Sequence, residues 1–308
     1  HAPSFADVRS VAWESVGAVD VVVASPRSVG LDDGQPEAKL RAAMTSYMLC
    51  VQAVLDSSAA VGVIESGPLS LSTADDAKFF KEVAAAVAAG GDVLRPRTSH
   101  PDRLGGAQRR PRLYLILIRG DVFERMGEPP LLSERGKPAS VASVLSDAPR
   151  PLVEVGAVRW LRQPQRVGSS LRRGFFGRGG AQGSVWCASS TAPPVLDRAA
   201  AQYPAGVFFH EGELVTLTPR ESAALQGLPS FMDIGEAKGD RAARRLVAQT
   251  VSVHSARSVL ALLKAYVQGF KALPPVAPTP PPPSRVEPKV RLFPDGSPQW
   301  CLDEKCAT

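Results

Sequence analysis

The sequence predicts an α/β fold with a doubly wound parallel sheet and a smaller loop-rich or β region. Between about residues 5 and 120, short apolar runs alternate with helical stretches, which is the pattern of consecutive βαβ units. From about residue 121 to 209, Pro, Gly, Ser and Arg become frequent and helical periodicity fades. From residue 273 the chain is rich in proline, which favours an extended polyproline tail over packing.

Three apolar runs are predicted as strands, and the amphipathic stretches are predicted as helices. The predicted strands are residues 19–24, 61–64 and 113–118. The last of these is apolar throughout, so we expect it to be central in the sheet. The predicted helices are residues 37–55, 75–89 (with Ser72 or Thr73 as N-cap), 219–226 and 256–268.

The composition is that of a globular protein with a basic balance. The 308 residues are 44% hydrophobic and 21% charged, and the formal net charge is +6. A basic surface suits a nucleic-acid partner, although a basic soluble protein without such a partner has the same composition. No apolar run approaches the roughly 20 residues that cross a bilayer, so we expect no membrane partner.

The four cysteines are scattered and too few for a disulfide framework, which favours a reducing compartment. No charged and then apolar leader opens the sequence, so we expect a protein of the nucleus or of the nucleoid and cytoplasm that is not secreted. Cys301 and Cys306 lack a second pair of ligands, so no metal site is predicted. Because residue 1 is His, we expect a piece of a longer chain.

Short polar strings follow the first two predicted strands. Residues 21–23 run into the loop Pro26-Arg27-Ser28-Val29, and the second strand ends in Glu65-Ser66-Gly67. Loops at the carboxyl ends of parallel strands are the usual place for chemistry in α/β folds. Taken alone, a Glu after an apolar strand is usually an ordinary loop carboxylate.

Two further strings stand out. In Gln108-Arg109-Arg110-Pro111-Arg112, alternate residues of an extended segment point the same way, so Arg110 and Arg112 should share a face. A basic strand entry on the solvent side is the alternative. The string Thr218-Pro219-Arg220-Glu221 is a complete helix start, with Thr218 as cap, Pro219 at the first helical position and Glu221 closing a capping box. Gly227 then suits the end of that helix.

Taken in order, these strings resemble the cytosine-5 DNA methyltransferases over about residues 5 to 268. That family carries Pro-Pro-Cys-Gln in the first loop, Glu-Asn-Val after the next strand and Gln-x-Arg-x-Arg in the basic string. Its Thr-Pro-Arg-Glu is followed by Leu-Gln-Gly and a Pro, as in this chain. The resemblance implies a Rossmann-like methyltransferase fold, S-adenosylmethionine as cofactor and DNA as partner.

The resemblance also implies roles for single residues. Ser28 stands at the nucleophile position, and Glu65 stands for the acid that protonates ring nitrogen 3 of cytosine. Arg112 and Arg110 are assigned to the flipped base and its backbone.

The cofactor-binding positions implied by the resemblance are Asp7, Pro26 and Val251. Asp7 lies in a string similar to the family's Gly-Asp-Ile, with an ordinary surface loop as the alternative. Val251 lies where the family has Gly-Asn-x-Val, although that Gly and Asn are replaced here. We expect the family's Gly-rich cofactor turn and its acidic ribose-binding residue to precede residue 1.

Ser28 replaces the thiol on which the family's chemistry depends. A thiolate adds to carbon 6 of cytosine so that carbon 5 can take the methyl group. A serine hydroxyl is far less acidic than a thiol and needs an activating base, so we expect impaired catalysis. The alternatives are a non-catalytic homologue that binds nucleic acid or a partner methyltransferase, an RNA-directed relative, and an unrelated α/β protein.

These readings give a domain plan in four parts. Residues 1–120 form a methyltransferase core whose N-terminal part is missing, and residues 121–209 form a basic target-recognition region. Residues 210–272 return to the core, and residues 273–308 form a proline-rich tail that is predicted to be disordered.

Overall fold

The computed structural model describes residues 11–12, 16, 19–26, 37–67, 74–132, 136–146, 185–192, 207–211, 213–235 and 239–274, together with the backbone of short strands elsewhere. The chain divides into two compact units. The first comprises residues 1–98, 112–131 and 262–308, and the second comprises residues 99–111 and 132–261. The expected N-caps Ser72 and Thr73 and most of the predicted proline-rich tail lie outside the described residues. The four-part domain plan stays a prediction.

The first unit is built on a four-stranded sheet with helices. Its elements are β1 (Val21–Ala24), α1 (Glu37–Asp56), β2 (Val61–Ser66), α2 (Ala74–Ala89), β3 (Val93–Ser99), β4 (Arg112–Ile118) and α3 (Gly120–Met126). The order in the sheet is β1-β2-β4-β3. The predicted α/β class, the three predicted strands and the central place of β4 are therefore confirmed.

The direction of β4 differs from the prediction. β1 and β2 are parallel, with Val21 opposite Val61, as the βαβ pattern predicts. β2 and β4 are antiparallel, with Glu65 opposite Tyr114. The chain passes through an additional strand, β3, between them, so the simple βαβ repeat that would make them parallel does not hold.

β3 is the strand that the sequence pattern missed. Its sequence Arg95-Pro96-Arg97 interrupts any apolar run, and proline is unfavourable inside a sheet because it cannot donate to a neighbouring strand. Within the four-stranded sheet β3 lies at the edge, where such residues are tolerated.

One face of this sheet is covered by α1 and α2. Its core includes Ile64, Leu115 and Leu117 from the strands, and Tyr47 from α1 packs edge-on against Phe79 from α2 at 5.0 Å between ring centroids. The other core side chains of this cluster are Met48, Val51, Val54, Leu55, Val83 and Val87. The opposite face of β2 carries Val61, Val63 and Glu65, because side chains alternate along a strand.

The second unit contains a smaller sheet with the order β11-β10-β9. Its strands are β9 (Val185–Cys187), β10 (Val207–His210) and β11 (Glu213–Thr216). β10 is parallel to β9 and antiparallel to β11. The shorter strands are β5 (Val158–Arg159), β6 (Gln165–Val167), β7 (Ser170–Arg172) and β8 (Phe175–Phe176), with β12 (Lys289–Leu292) and β13 (Pro298–Cys301) near the C-terminus. The 3-10 helices are Pro101–Leu104 and Val141–Val144.

The helices of the C-terminal half are α4 (Pro219–Leu225), α5 (Asp240–Gln249) and α6 (Val253–Ala272). The predictions for α4 and α6 are confirmed, and α5 was missed. α5 buries Ala243 and Val247, which lie four residues apart on one face. Three arginines between and beside them hide that spacing in the sequence.

Within Asp240–Ala272, an 18-residue window is long and apolar enough to cross a membrane, with a mean hydropathy of 1.3. This is weak ground for a membrane partner, because a buried helix of a soluble protein meets the same criterion. α6 indeed buries Val259, Leu263, Tyr266 and Val267.

Candidate functional site

Glu65 forms an ion pair with Arg112 in the first unit. Its carboxylate Oε1 lies 3.0 Å from Arg112 Nε, and the two side chains are only 9% and 14% exposed. The sheet register explains the contact. Glu65 lies opposite Tyr114, and Arg112 lies two residues before Tyr114 on the same face, so the pair is a diagonal cross-strand pair.

The pair is a charge contact more than a hydrogen bond. Arg112 Nε and Glu65 Oε1 are close, but their alignment does not meet hydrogen-bond geometry. A guanidinium carries five N–H donors, and Glu65 is the partner of Arg112 among the described residues. Within the described part of the chain, Arg112 therefore has N–H donors beyond the Nε that faces Glu65.

Ser25 completes this cluster, and sequence reasoning missed it. Its hydroxyl donates to Glu65 Oε2 at 2.8 Å. The parallel register places Ala24 opposite Ile64, so the next residues, Ser25 after β1 and Glu65 within β2, lie side by side. The signal was available in the sequence, since both follow predicted parallel strands. We call Ser25, Glu65 and Arg112 the carboxylate cluster.

Tyr47 lies in the core of the first unit, near enough to Glu65 to feel its charge. Burial is the main cause that raises the pKa of its hydroxyl, and the nearby Glu65 charge adds to the increase. The Ser66 side chain lowers the pKa of Tyr47 and partly offsets this increase. Ser66 itself donates to the carbonyl of Gly67 at 3.0 Å. In this structure the residue after Glu65 is thus engaged with its own loop.

Arg110 lies in the second unit and has different partners from Arg112. It is buried, and its guanidinium donates to Gln226 Oε1 at 2.8 Å and to the carbonyl of Ala248 at 2.5 Å. Gln226 also donates to the carbonyl of Val247 at 2.6 Å. Thr250 Oγ1 donates to Gln226 Oε1 at 3.0 Å. Arg110 therefore binds α4's last turn to the C-terminal end of α5.

The helix start predicted at Thr218 is confirmed. Thr218 Oγ1 accepts from the backbone of Glu221, and the Glu221 carboxylate accepts from the backbone of Thr218 at 2.9 Å. Glu221 also accepts from the backbone and the hydroxyl of Ser146, at 2.8 and 2.9 Å. Arg220 donates to the carbonyls of Ser230 and Met232. This string therefore organises the second unit.

The other predicted site residues are distributed differently. Ser28 and Asp7 lie outside the described residues. Pro26 is buried two residues after the end of β1, and Val251 is partly buried between α5 and α6. Of the predicted site residues that the structure describes, it brings Glu65 and Arg112 into contact.

Two of the positions predicted to bind S-adenosylmethionine lie in the described part of the chain. Of the three predicted cofactor positions, the structure describes Pro26 and Val251, and neither side chain offers a hydrogen-bonding atom to adenine or ribose. Pro26 also lacks a backbone N–H. The side chains of these two residues offer only apolar contact to the cofactor.

Two reactive side chains in the described part have shifted pKa values. Cys50 packs against the core of the first unit, and burial raises the pKa of its thiol. In the second unit, burial and the neighbouring Arg257 lower the pKa of His254. No group of three or more metal-ligating side chains occurs among the residues that the structure describes.

Comparison with solved structures identifies the fold. The S. pombe Dnmt2 methyltransferase matches with a TM-score of 0.57 at 14% identity, over 86% of this chain and 84% of that one. The chain has a methyltransferase fold. An Entamoeba histolytica methyltransferase, EhMeth, matches with a TM-score of 0.60 at 13% identity, over 87% of this chain and 83% of that one.

A third match is a putative DNA modification methyltransferase encoded within an E. coli prophage, with a TM-score of 0.57, 14% identity, and coverage of 83% of this chain and 81% of that one. No protein-family model matches the chain, and no curated protein matches it. At these identities the likeness establishes the methyltransferase fold and leaves the reaction to be tested.

Proposed function

We propose that this chain is a diverged domain of the cytosine-5 DNA methyltransferase family that binds DNA and no longer transfers methyl groups at an enzyme's rate. The observation that carries the proposal is the Glu65–Arg112 pair, 3.0 Å apart at the carboxyl end of β2. It lies in a fold shared with methyltransferases. Both residues were assigned to the base-binding site from sequence strings alone.

The carboxylate cluster has the chemistry that a cytosine needs. A carboxylate accepts from the exocyclic amino group of cytosine, and a guanidinium donates to its ring carbonyl. We propose that Glu65 and Arg112 contact the base in this way after it leaves the helix stack. The basic charge balance supports phosphate contacts around that site.

Arg110 has a different proposed role from the one that the resemblance implies. Its guanidinium is buried and donates to Gln226 and to the carbonyl of Ala248. We propose that Arg110 supports the second unit, and that Arg112 alone of the two contacts the base.

Loss of methyl transfer is proposed from the residue at position 28. Ser28 lacks the thiol that adds to carbon 6 of cytosine, and its hydroxyl requires a general base. S-adenosylmethionine remains the cofactor proposed from the family resemblance, with its polar contacts supplied outside the described residues. We further propose residues 121–209 as the basic recognition region, and the nucleus or the nucleoid and cytoplasm as the compartment.

DNA binding tests the proposal first. The full chain is titrated with a cytosine-containing duplex at several salt concentrations, where affinity should fall steeply as salt rises. Arg112→Gln should weaken binding more than Arg109→Gln, because Arg109 is an exposed neighbour outside the carboxylate cluster. Equal losses in the two variants would mean that net charge, and not the site, determines binding.

A trapping assay tests the loss of catalysis. The full chain is incubated with S-adenosylmethionine and a duplex that contains 5-fluorocytosine, and covalent adducts are separated by denaturing electrophoresis. We expect no adduct from the wild-type chain, and an adduct would overturn the proposed loss. An adduct from Ser28→Cys but not from Ser28→Ala would show that the thiol is the missing part.

Tighter binding to RNA than to DNA would instead favour the RNA-directed alternative. Co-purification with an active methyltransferase would favour the partner-binding alternative.

A further inference from the structure

We infer that Ser25 is the positioning residue for Glu65, and that it sets the preference of the site for a base with an exocyclic amino group over a base with a carbonyl in that place. This inference rests on the proposed function, because it takes Glu65 to contact the base. The structural basis is the hydrogen bond from Ser25 Oγ to Glu65 Oε2 at 2.8 Å.

A Glu carboxylate needs such a restraint. The terminal torsion of a Glu side chain has a broad energy profile, so its two oxygens are not fixed by the side chain itself. Arg112 contacts Oε1, and Ser25 donates to Oε2. Contacts to both oxygens, one from the residue after β1 and one from β4, fix the plane of the carboxylate.

The residue after Glu65 does not provide this restraint. The family resemblance implies an Asn there, whose amide would fix the Glu loop. In this chain Ser66 stands in its place, and its hydroxyl donates to the carbonyl of Gly67. Ser25 is the hydroxyl that reaches the carboxylate, so it takes over the positioning role.

The restraint has a consequence for base choice. Each carboxylate oxygen has two lone-pair sites, so Oε2 keeps one beside the hydrogen bond from Ser25, and the charge contact with Arg112 is not a hydrogen bond to Oε1. A cytosine amino group can donate to such a lone pair. Uracil or thymine would place a carbonyl oxygen against it, and a fixed carboxylate cannot rotate away to relieve the repulsion.

Ser25 and Ser28 therefore have separate proposed roles although they are only three residues apart in the sequence. Ser28 stands at the position of the family's nucleophile. Ser25 acts through Glu65 and touches the base only indirectly. A change at Ser25 should alter base selectivity while it leaves the contribution of phosphate contacts unchanged.

The test measures selectivity in the full chain. Two duplexes of the same sequence carry either cytosine or uracil opposite an abasic site, which reduces the free-energy cost of flipping the base. Dissociation constants are measured by fluorescence anisotropy at one fixed salt concentration, and the ratio of the uracil value to the cytosine value is compared among variants. The variants are Ser25→Ala, Ser25→Thr and Glu65→Gln.

We expect the wild-type chain to prefer cytosine, and Ser25→Ala to lower the ratio about fivefold, as for the loss of one ordinary hydrogen bond. Ser25→Thr keeps the hydroxyl and should keep the ratio. The salt dependence should be the same in all variants. If Ser25→Ala fails to fold, Ser25→Cys, which keeps the shape with a weak donor, should show the same loss.

Two failures can be told apart. If Glu65→Gln removes the preference while folded Ser25→Ala or Ser25→Cys keeps it, the positioning role of Ser25 is wrong and the proposed function stands. If the wild-type chain shows no preference, or Glu65→Gln leaves the preference unchanged, the proposed base contact fails and the inference fails with it.

Discussion

Gly62 offers the sharpest test of how the first unit is packed. A Cβ atom built on Gly62 would lie 1.9 Å from Val54 Cγ1 and 3.1 Å from Val54 Cβ. Carbon atoms in contact are ordinarily about 3.5 to 4.0 Å apart, so α1 and β2 would have to separate. Val54 is buried in the core of this unit, so it has no free space into which to turn. Gly62→Ala should therefore destabilise the protein by about 1 to 3 kcal/mol, as overpacking does in other cores.

Gly269→Ala is the matched control. Gly269 lies inside α6, and a Cβ there would meet only the flexible end of Met126, with Cε at 2.9 Å. Alanine is preferred over glycine inside helices by roughly 0.5 to 1 kcal/mol, so this variant should be neutral or more stable. Urea denaturation followed by circular dichroism measures both. A Gly62→Ala variant as stable as Gly269→Ala would refute the close packing of α1 on β2.

Three further outcomes are expected. Thr218→Ala should lower the free energy of unfolding, measured by urea denaturation, by about 1 to 2 kcal/mol through loss of the helix cap. Thr218→Ser should retain most of the stability that the cap provides. Arg110→Met should destabilise the protein by about 2 to 3 kcal/mol, because Gln226 and the Ala248 carbonyl lose a buried charged donor. The salt dependence of DNA binding should not change. A changed salt dependence with unchanged stability would instead mean that Arg110 contacts phosphate. The pKa of His254 is lower in the folded protein than in the unfolded chain, so the unfolded chain binds the proton first as pH falls. The free energy of unfolding should therefore be highest above about pH 6.5, the ordinary His pKa, and should decline below that pH towards the folded pKa. His254→Asn should remove this component from denaturation curves measured between pH 7.5 and 5.5, and a variant with the wild-type pH dependence would contradict it.

Local sequence patterns predicted the elements that depend on local physics. The helix start at Thr218 needs only residues within one turn, and its capping box was correctly predicted from four letters. The buried strands β2 and β4 were found because they are continuous apolar runs. Where a pattern is masked by charge, as in β3 and α5, the element was missed.

The candidate site was predictable only in part. Glu65 and Arg112 were both identified from their strings, but their pairing depends on the antiparallel register of β2 and β4, which the parallel sheet prediction would not give. Arg110 and Arg112 were expected to share a role because they alternate along an extended segment. The structure gives them different partners because β4 begins only at Arg112, so the strand rule does not extend to Arg110.

β3 also bears on how copies of this protein behave at high concentration. The outer edge of a sheet exposes backbone groups that can pair with an extended segment of another molecule. Here Pro96 offers no N–H, and Arg95 and Arg97 bring charge to that edge, held near Glu128. Arg95 also stacks on the Phe123 ring at 4.8 Å, which keeps the aromatic face covered. The same residues that obscured this strand in the sequence pattern thus disfavour aggregation through pairing at the sheet edge.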